Sequence, residues 1–321
     1  MKSAGAGHAW LTTGSLVLAR LAVVVGALVA PVVAQVPQPL QPSQPSPPSS
    51  SRQEVLADDI DPRPIALAQL EASLPAGASL RLYTITDHPG LYVMHAPSLA
   101  AQGAMFSRVV ALLERRDMPR DRVVTMAEIA AHARRFGTDP AGLTAGNNFS
   151  TAQLAHFFEM ARQQHVVLTK GEHVLQVILV RWGLIDEASG AWKALSARDF
   201  LITIPGLGPA PGGETIDAPV RAAILSHELG HWRYFSDSAY AHACRAFWWQ
   251  QLSFEERAEL TRQLADMGYD PSDRIVIDET QAYLLHTPAP YMPLASTTGA
   301  YGIDVQGVRK RLEERVAREG R

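Results

Sequence analysis

Between Gln35 and Arg52 the chain reads QVPQPLQPSQPSPPSSSR, and no other stretch so limits what it can build. Proline at this density cannot form helix or inner strand, and the segment offers little apolar surface to bury. It predicts an extended, polyproline-like linker at 35–52. Before it, Lys2 and Arg20 are the only charges, and an apolar run follows from Leu21 to Ala34. That run falls short of the roughly 20 residues a spanning helix needs, and Val32 and Ala34 suit a cut after Ala34. Residues 1–34 therefore predict a secretory signal, with no stable membrane span after cleavage and a secreted or periplasmic location.

The remainder, 53–321, predicts the folded domain. Hydrophobic residues make up 47 % of the chain and charged residues 19 %, enough apolar matter for a core. The net charge of −3 gives no basic surface for nucleic acid. Cys244 is the single cysteine, which rules out an intrachain disulfide and any cysteine-built zinc module. A metal site here must use histidine and carboxylate.

Patterning predicts a class that is mainly α with a small β-sheet (α+β). Helices are expected at 65–74, 97–116, 125–136, 150–165, 171–183, 239–251, 253–267, 276–286 and 304–318, with Ser150 as an N-cap. Strands are expected at 79–85, at 91–94 across a His88-Pro89-Gly90 turn, and at 200–204. The portion 53–198 reads as mainly helical, and 199–321 carries the chemistry. There Asp217 caps a helix with Pro219 in its first turn, running through Val220 to Trp232.

That helix contains Ser226-His-Glu-Leu-Gly-His231. Positions four apart on a helix differ by about 40° around the axis, so His227 and His231 project from one face. One turn apart, the two imidazoles suit one Zn²⁺, and Glu228 stands next to the first of them, within reach of a water on the ion.

This His-Glu-x-x-His helix, with a strand and a loop before it, resembles the zincin superfamily of zinc metallopeptidases. The match covers a small part of the chain. The resemblance implies that His227 and His231 bind zinc and that Glu228 is the catalytic general base. It also implies an edge strand ahead of the helix, where substrate lies as an added strand. Residues 200–204 take that position, and the Gly-rich loop at 205–213 is placed to line the cleft.

A catalytic zinc needs a third protein ligand and an open position. Glu279, near the start of the 276–286 helix, looks like the downstream glutamate of the gluzincin arrangement, and Ala282 fits the accompanying E-x-x-A. Tyr283 stands where many such families carry an aspartate that orients a ligand histidine. Asp237 is the alternative, six residues after His231, where metzincins carry a ligand. Metzincins bend the helix at a glycine, and Tyr234 occupies that position here; without the bend Asp237 lies far off the ligand face. His242 and His286 remain as further ligand candidates. Tyr283 and His286 share a face with Glu279, and either could stabilise an oxyanion.

Phe235, Trp232, Phe247, Trp248 and Trp249 read as core behind this helix, and Cys244 as a buried small hydrophobe. The function these readings support is a secreted zinc hydrolase, a metallopeptidase acting on peptide or protein, cell-wall peptide included. The alternative is a non-enzymatic cell-envelope protein whose zinc site is structural or ligand-binding.

Overall fold

The computed structural model describes residues 62–299 and 302–319. The signal and linker expected at 1–34 and 35–52 lie outside them. In chain order, strand β1 (Arg63–Ile65) and helix α1 (Leu67–Ser73) lead into the hairpin of β2 (Arg81–Ile85) and β3 (Leu91–Ala96). Helices α2 (Leu99–Leu113) and α3 (Met126–Arg135) precede β4 (Asn147–Ser150), α4 (Thr151–Gln163) and α5 (Lys170–Arg181). A hairpin of β5 (Ile185–Ala188) and β6 (Ala191–Ala194) comes before β7 (Phe200–Pro205). The short pair β8 (Gly208–Pro209) and β9 (Thr215–Ile216) leads to α6 (Ala218–Ser236), α7 (Ser238–Gln250), α8 (Phe254–Asp266) and α9 (Asp273–Gln281). A π-helical turn, Ala282–His286, extends α9, and α10 (Val305–Glu319) ends the described chain. With 55 % helix and 15 % strand among the described residues, the fold has the α+β class its patterning predicts. Among the described residues no helix is long and apolar enough to cross a membrane.

The main sheet runs β1-β2-β3-β7-β4, with β1 parallel to β2, β3 parallel to β7, and the other pairs antiparallel. Every residue of β7 is buried, as expected of a strand covered on both faces. Leu201 points into one core with Leu82, Met94 and Phe149, beneath α2, α4 and α5. Phe200, Ile202 and Ile204 point into the other, with Tyr83, Leu91 and Val93, against α6. A further core joins α7, α8, α9 and α10 through Phe247, Leu260, Val276 and Val308.

The expectation that 200–204 forms the edge strand is corrected by this order. β7 is interior, and β4 holds the edge. β4 reads Asn-Asn-Phe-Ser, a poor strand by composition. It forms because β7 offers it a full ladder, with Asn148 opposite Ile202, and because Phe149 is fully buried and stacks on Phe106. Asn147 adds a buried bond from its Nδ2 to Thr203 Oγ1 at 2.8 Å. Ser150 then accepts from Gln153 N and starts α4, in the capping role its sequence suggests.

Phe149 therefore anchors the edge strand. Phe149→Ala should lower the unfolding free energy by about 3–5 kcal/mol, read as a drop in urea midpoint with an unchanged slope.

Candidate metal centre

Helix α6 starts on Asp217, whose carboxylate accepts from Val220 N at 2.9 Å, and it packs against β7. This seats the motif under the sheet edge. The two imidazoles face one another, with His227 Nε2 and His231 Nε2 3.1 Å apart. Glu279 Oε2, from α9, lies 3.6 Å from the first and 3.8 Å from the second. All three residues are buried. A tetrahedral ion with bonds of about 2.0–2.1 Å sets its ligand atoms about 3.3 Å apart. The triangle of side-chain atoms is close to that size, so the three can share one ion.

Proton placement supports the fit. Asp278 Oδ1 accepts from His231 Nδ1 at 2.8 Å. Thr287 donates its hydroxyl hydrogen to Ala282 O at 3.2 Å, so its oxygen accepts from His227 Nδ1 at 2.9 Å. Each ring thus carries a hydrogen on Nδ1 and turns its Nε2 inward. Glu279 Oε2 is buried with no hydrogen-bond partner. Two imidazole nitrogens and a carboxylate oxygen converging in a buried space require a cation between them. A proton is the alternative occupant. Burial alone lowers the His231 pKa, but Asp278 and Glu279 outweigh it and push it up to about 10. Burial likewise opposes ionisation of Glu279, but the two imidazoles hold its carboxyl below the ordinary value.

The support for Asp278 continues outward. Gln281 Nε2 donates to Asp278 Oδ1 at 3.0 Å, and Tyr240 donates its hydroxyl hydrogen to Gln281 Oε1 at 2.7 Å. The Tyr240 oxygen then accepts from His286 Nε2 at 3.1 Å. Every donor in this chain points toward Asp278, which fixes that carboxylate in place and keeps the His231 ring oriented.

Glu228 stands beside the cluster. Asn148 of β4 donates from Nδ2 to Glu228 Oε2 at 2.9 Å. A Cβ at Gly146 would sit 2.3 Å from Glu228 Oε1, so glycine is needed for the carboxylate to seat there. Burial raises the Glu228 pKa, with the two imidazoles opposing. Glu228 and His227 line a small cavity of about 30 Å³ with Tyr269 and Tyr283. His231 and Glu279 line a larger one of about 380 Å³, open to solvent, with Asn148, Phe235 and Glu114.

The structure thus brings His227, His231, Glu279 and Glu228 together. Tyr283 joins them, its ring 4.4 Å from that of His227 and its hydroxyl 3.0 Å from that of Tyr269. Asp237 stands apart; its carboxylate accepts from Tyr240 N and caps α7, because α6 runs straight to Ser236. His286 also turns away, packed on Gly230 and bonded to Tyr240. His242 is exposed and meets Glu319.

The orienting aspartate sits at Asp278, one residue before Glu279, rather than at position 283. Sequence reading missed it, together with Thr287, Asn148 and Tyr269. The acidic pair Asp278-Glu279 was the available signal, since neighbours 100° apart on a helix can address one ring and the ion beside it. The aromatic reading is corrected in part. Phe247 and Trp248 are core, while Phe235 stacks on Phe200 at the larger cavity and Trp249 is 55 % exposed. Cys244 is buried as expected. Ala145, Gly146 and Asn148, and no residue of the Gly-rich loop at 205–213, line the two cavities beside the cluster.

Comparison of the chain with family models, with curated proteins and with solved structures finds no match. The site therefore rests on its own geometry.

Asp278→Ala should weaken Zn²⁺ binding by about 10- to 100-fold while the domain stays folded; Asp237→Ala should leave affinity unchanged and cost about 1 kcal/mol of stability through the lost cap. Because a proton competes for the cluster, zinc affinity measured against a chelator should fall as pH is lowered below about 10.

Proposed function

We propose that this chain is a secreted zinc-dependent hydrolase, a metallopeptidase in which Glu228 moves the proton. The observation that carries the reading is the placement of Glu228. Its carboxylate is held by Asn148 against Gly146, beside three convergent ligand groups and facing a cavity. A structural site has no use for such a group.

His227, His231 and Glu279 would hold the ion, and a set of two imidazoles and one carboxylate suits zinc. When bound, the ion would polarise a substrate carbonyl and acidify a water. Glu228 takes the proton released as water attacks and delivers it to the departing amine. Its raised pKa suits a group that must both accept and return a proton. Tyr269 and Tyr283 share one hydrogen between their oxygens, which leaves the other hydroxyl hydrogen free to donate to an oxyanion. Burial and the Glu279 charge raise the pKa of both phenols, so they keep their hydrogens. The outer edge of β4 supports a peptide substrate. It pairs with β7 on one side, and Asn148 and Ser150 face the larger cavity. Cell-wall peptide falls within this class.

The second reading, a structural or ligand-binding zinc site in a cell-envelope protein, calls for a closed site with a fourth protein ligand. Among the described residues three groups gather, not four, which favours the hydrolase.

Purified protein should contain one zinc per chain and cleave a mixed peptide library. Glu228→Gln should keep the zinc and lower turnover by at least about 10²- to 10⁴-fold, whereas His231→Ala should lose the metal. Wild-type turnover in Glu228→Gln would overturn the reading.

A further inference from the structure

The larger cavity contains a carboxyl group that the proposed chemistry does not use. Glu114, the residue that ends α2, is 9 % exposed and lines the cavity together with His231, Asp278 and Glu279. Among the described residues its carboxyl has no hydrogen-bond or ion-pair partner. The nearby cations make their hydrogen bonds elsewhere, although Arg115 Nε is buried without a partner. Arg115 donates to the carbonyls of Leu143 and Met267 and lies over the Tyr269 ring. Arg274, exposed at the rim, donates to Leu113 O. A carboxylate drawn largely out of bulk solvent is costly to ionise, and the cost grows beside a second one. Burial and the Glu279 charge push the Glu114 pKa up to about 7, against the pull of Arg115, His231 and Arg274. Glutamine would fill the same space without the charge.

Resting on the hydrolase reading, we propose that Glu114 is a recognition site for a positively charged group of the substrate. The group is an ammonium, either a free peptide amino terminus or a basic side chain, carried close to the bond that is cut. The cavity of about 380 Å³ has room for one side chain. Its wall of Phe200, Phe235 and Ile275 would take the aliphatic part, while Glu114 takes the charge. An ion pair of this kind, sheltered from water, contributes strongly to selection between charged and neutral substrates.

The test uses zinc-loaded protein and one synthetic peptide series. Its members differ in a free or acetylated amino terminus, and in lysine or norleucine placed at each position in turn. Cleavage is followed by mass spectrometry, and binding of the same peptides to Glu228→Gln is followed by calorimetry. Peptides with a positive group at one fixed distance from the cut should be preferred. Glu114→Gln should lower their kcat/KM, and their affinity in the Glu228→Gln background, by about 10- to 100-fold, and leave neutral peptides unchanged. Glu114→Asp should keep part of the preference, and Glu114→Gln should melt no lower than wild type. A response confined to the free-terminus arm identifies the α-ammonium, and one confined to the lysine arm a basic side chain; either supports the site. Cleavage without any charge preference, or a preference that survives Glu114→Gln, overturns the site and leaves the hydrolase standing. Binding that depends on Glu114, with no cleavage by wild type, supports the site and overturns the hydrolase. A second bound zinc that Glu114→Gln abolishes overturns the site in favour of a metal ligand.

Discussion

Two imidazole nitrogens and one carboxylate oxygen meet in a buried space beside a solvent-open cavity, and the rest of the molecule is arranged so that they must. Thr287 and Asp278 fix the hydrogens of both rings on the outward nitrogens, so the inward ones remain basic. Such a cluster cannot rest as it stands; it takes up a proton or a metal ion. The elements around it serve that convergence. α6 supplies two ligands from one turn. α9 supplies the third and, from the preceding residue, the group that steadies the second ring. The π-helical turn after α9 carries the chain to Thr287, whose N–H closes the wide turn on Ala282 O at 3.0 Å. π-turns recur where a side chain has to be re-aimed, and here that side chain is the one behind His227.

Around this centre the protein keeps two kinds of carboxylate apart. Glu279 is held toward the ionised form by the two imidazoles, and Asp278 collects converging hydrogen-bond donors. Glu228 and Glu114 are pushed toward the neutral form by burial. The first kind suits holding a cation, and the second suits exchanging a proton or receiving a charge from outside. Sorting by environment lets four acids of similar intrinsic strength do different work within one small region.

The sequence reveals those parts of this arrangement that depend on local periodicity. The helices follow from amphipathic spacing and caps, and the ligand pair from its separation of one turn. Asp237 could be set aside by angle alone. Strand β4 was not legible, because asparagine and serine carry no strand preference and its existence depends on the unpaired side of β7, reached across fifty residues of chain. Asn148 and Gly146, which seat Glu228, were hidden with it. The exposed position of Phe235 was also beyond reach, since an aromatic beside a motif looks the same whether it walls a cavity or fills a core. Asp278 was visible but passed over, because the expected position for an orienting group lay four residues later.

The bond from Asn148 to Glu228 ties the carboxylate beside the metal-binding cluster to a strand rather than to its own helix. Along that strand Asn147 faces Thr203 inside the sheet and Asn148 faces the opposite way, toward the carboxylate. Successive residues of a strand alternate sides, so a slip by a single position would exchange the two amides. Glu228 would then lose its tether while the ion-holding groups, anchored on α6 and α9, stayed in place. Losing the Glu228 tether and losing the ion-holding cluster are in this way separate events: on the proposed hydrolase reading, the register of four residues acts as a safety catch on the chemistry.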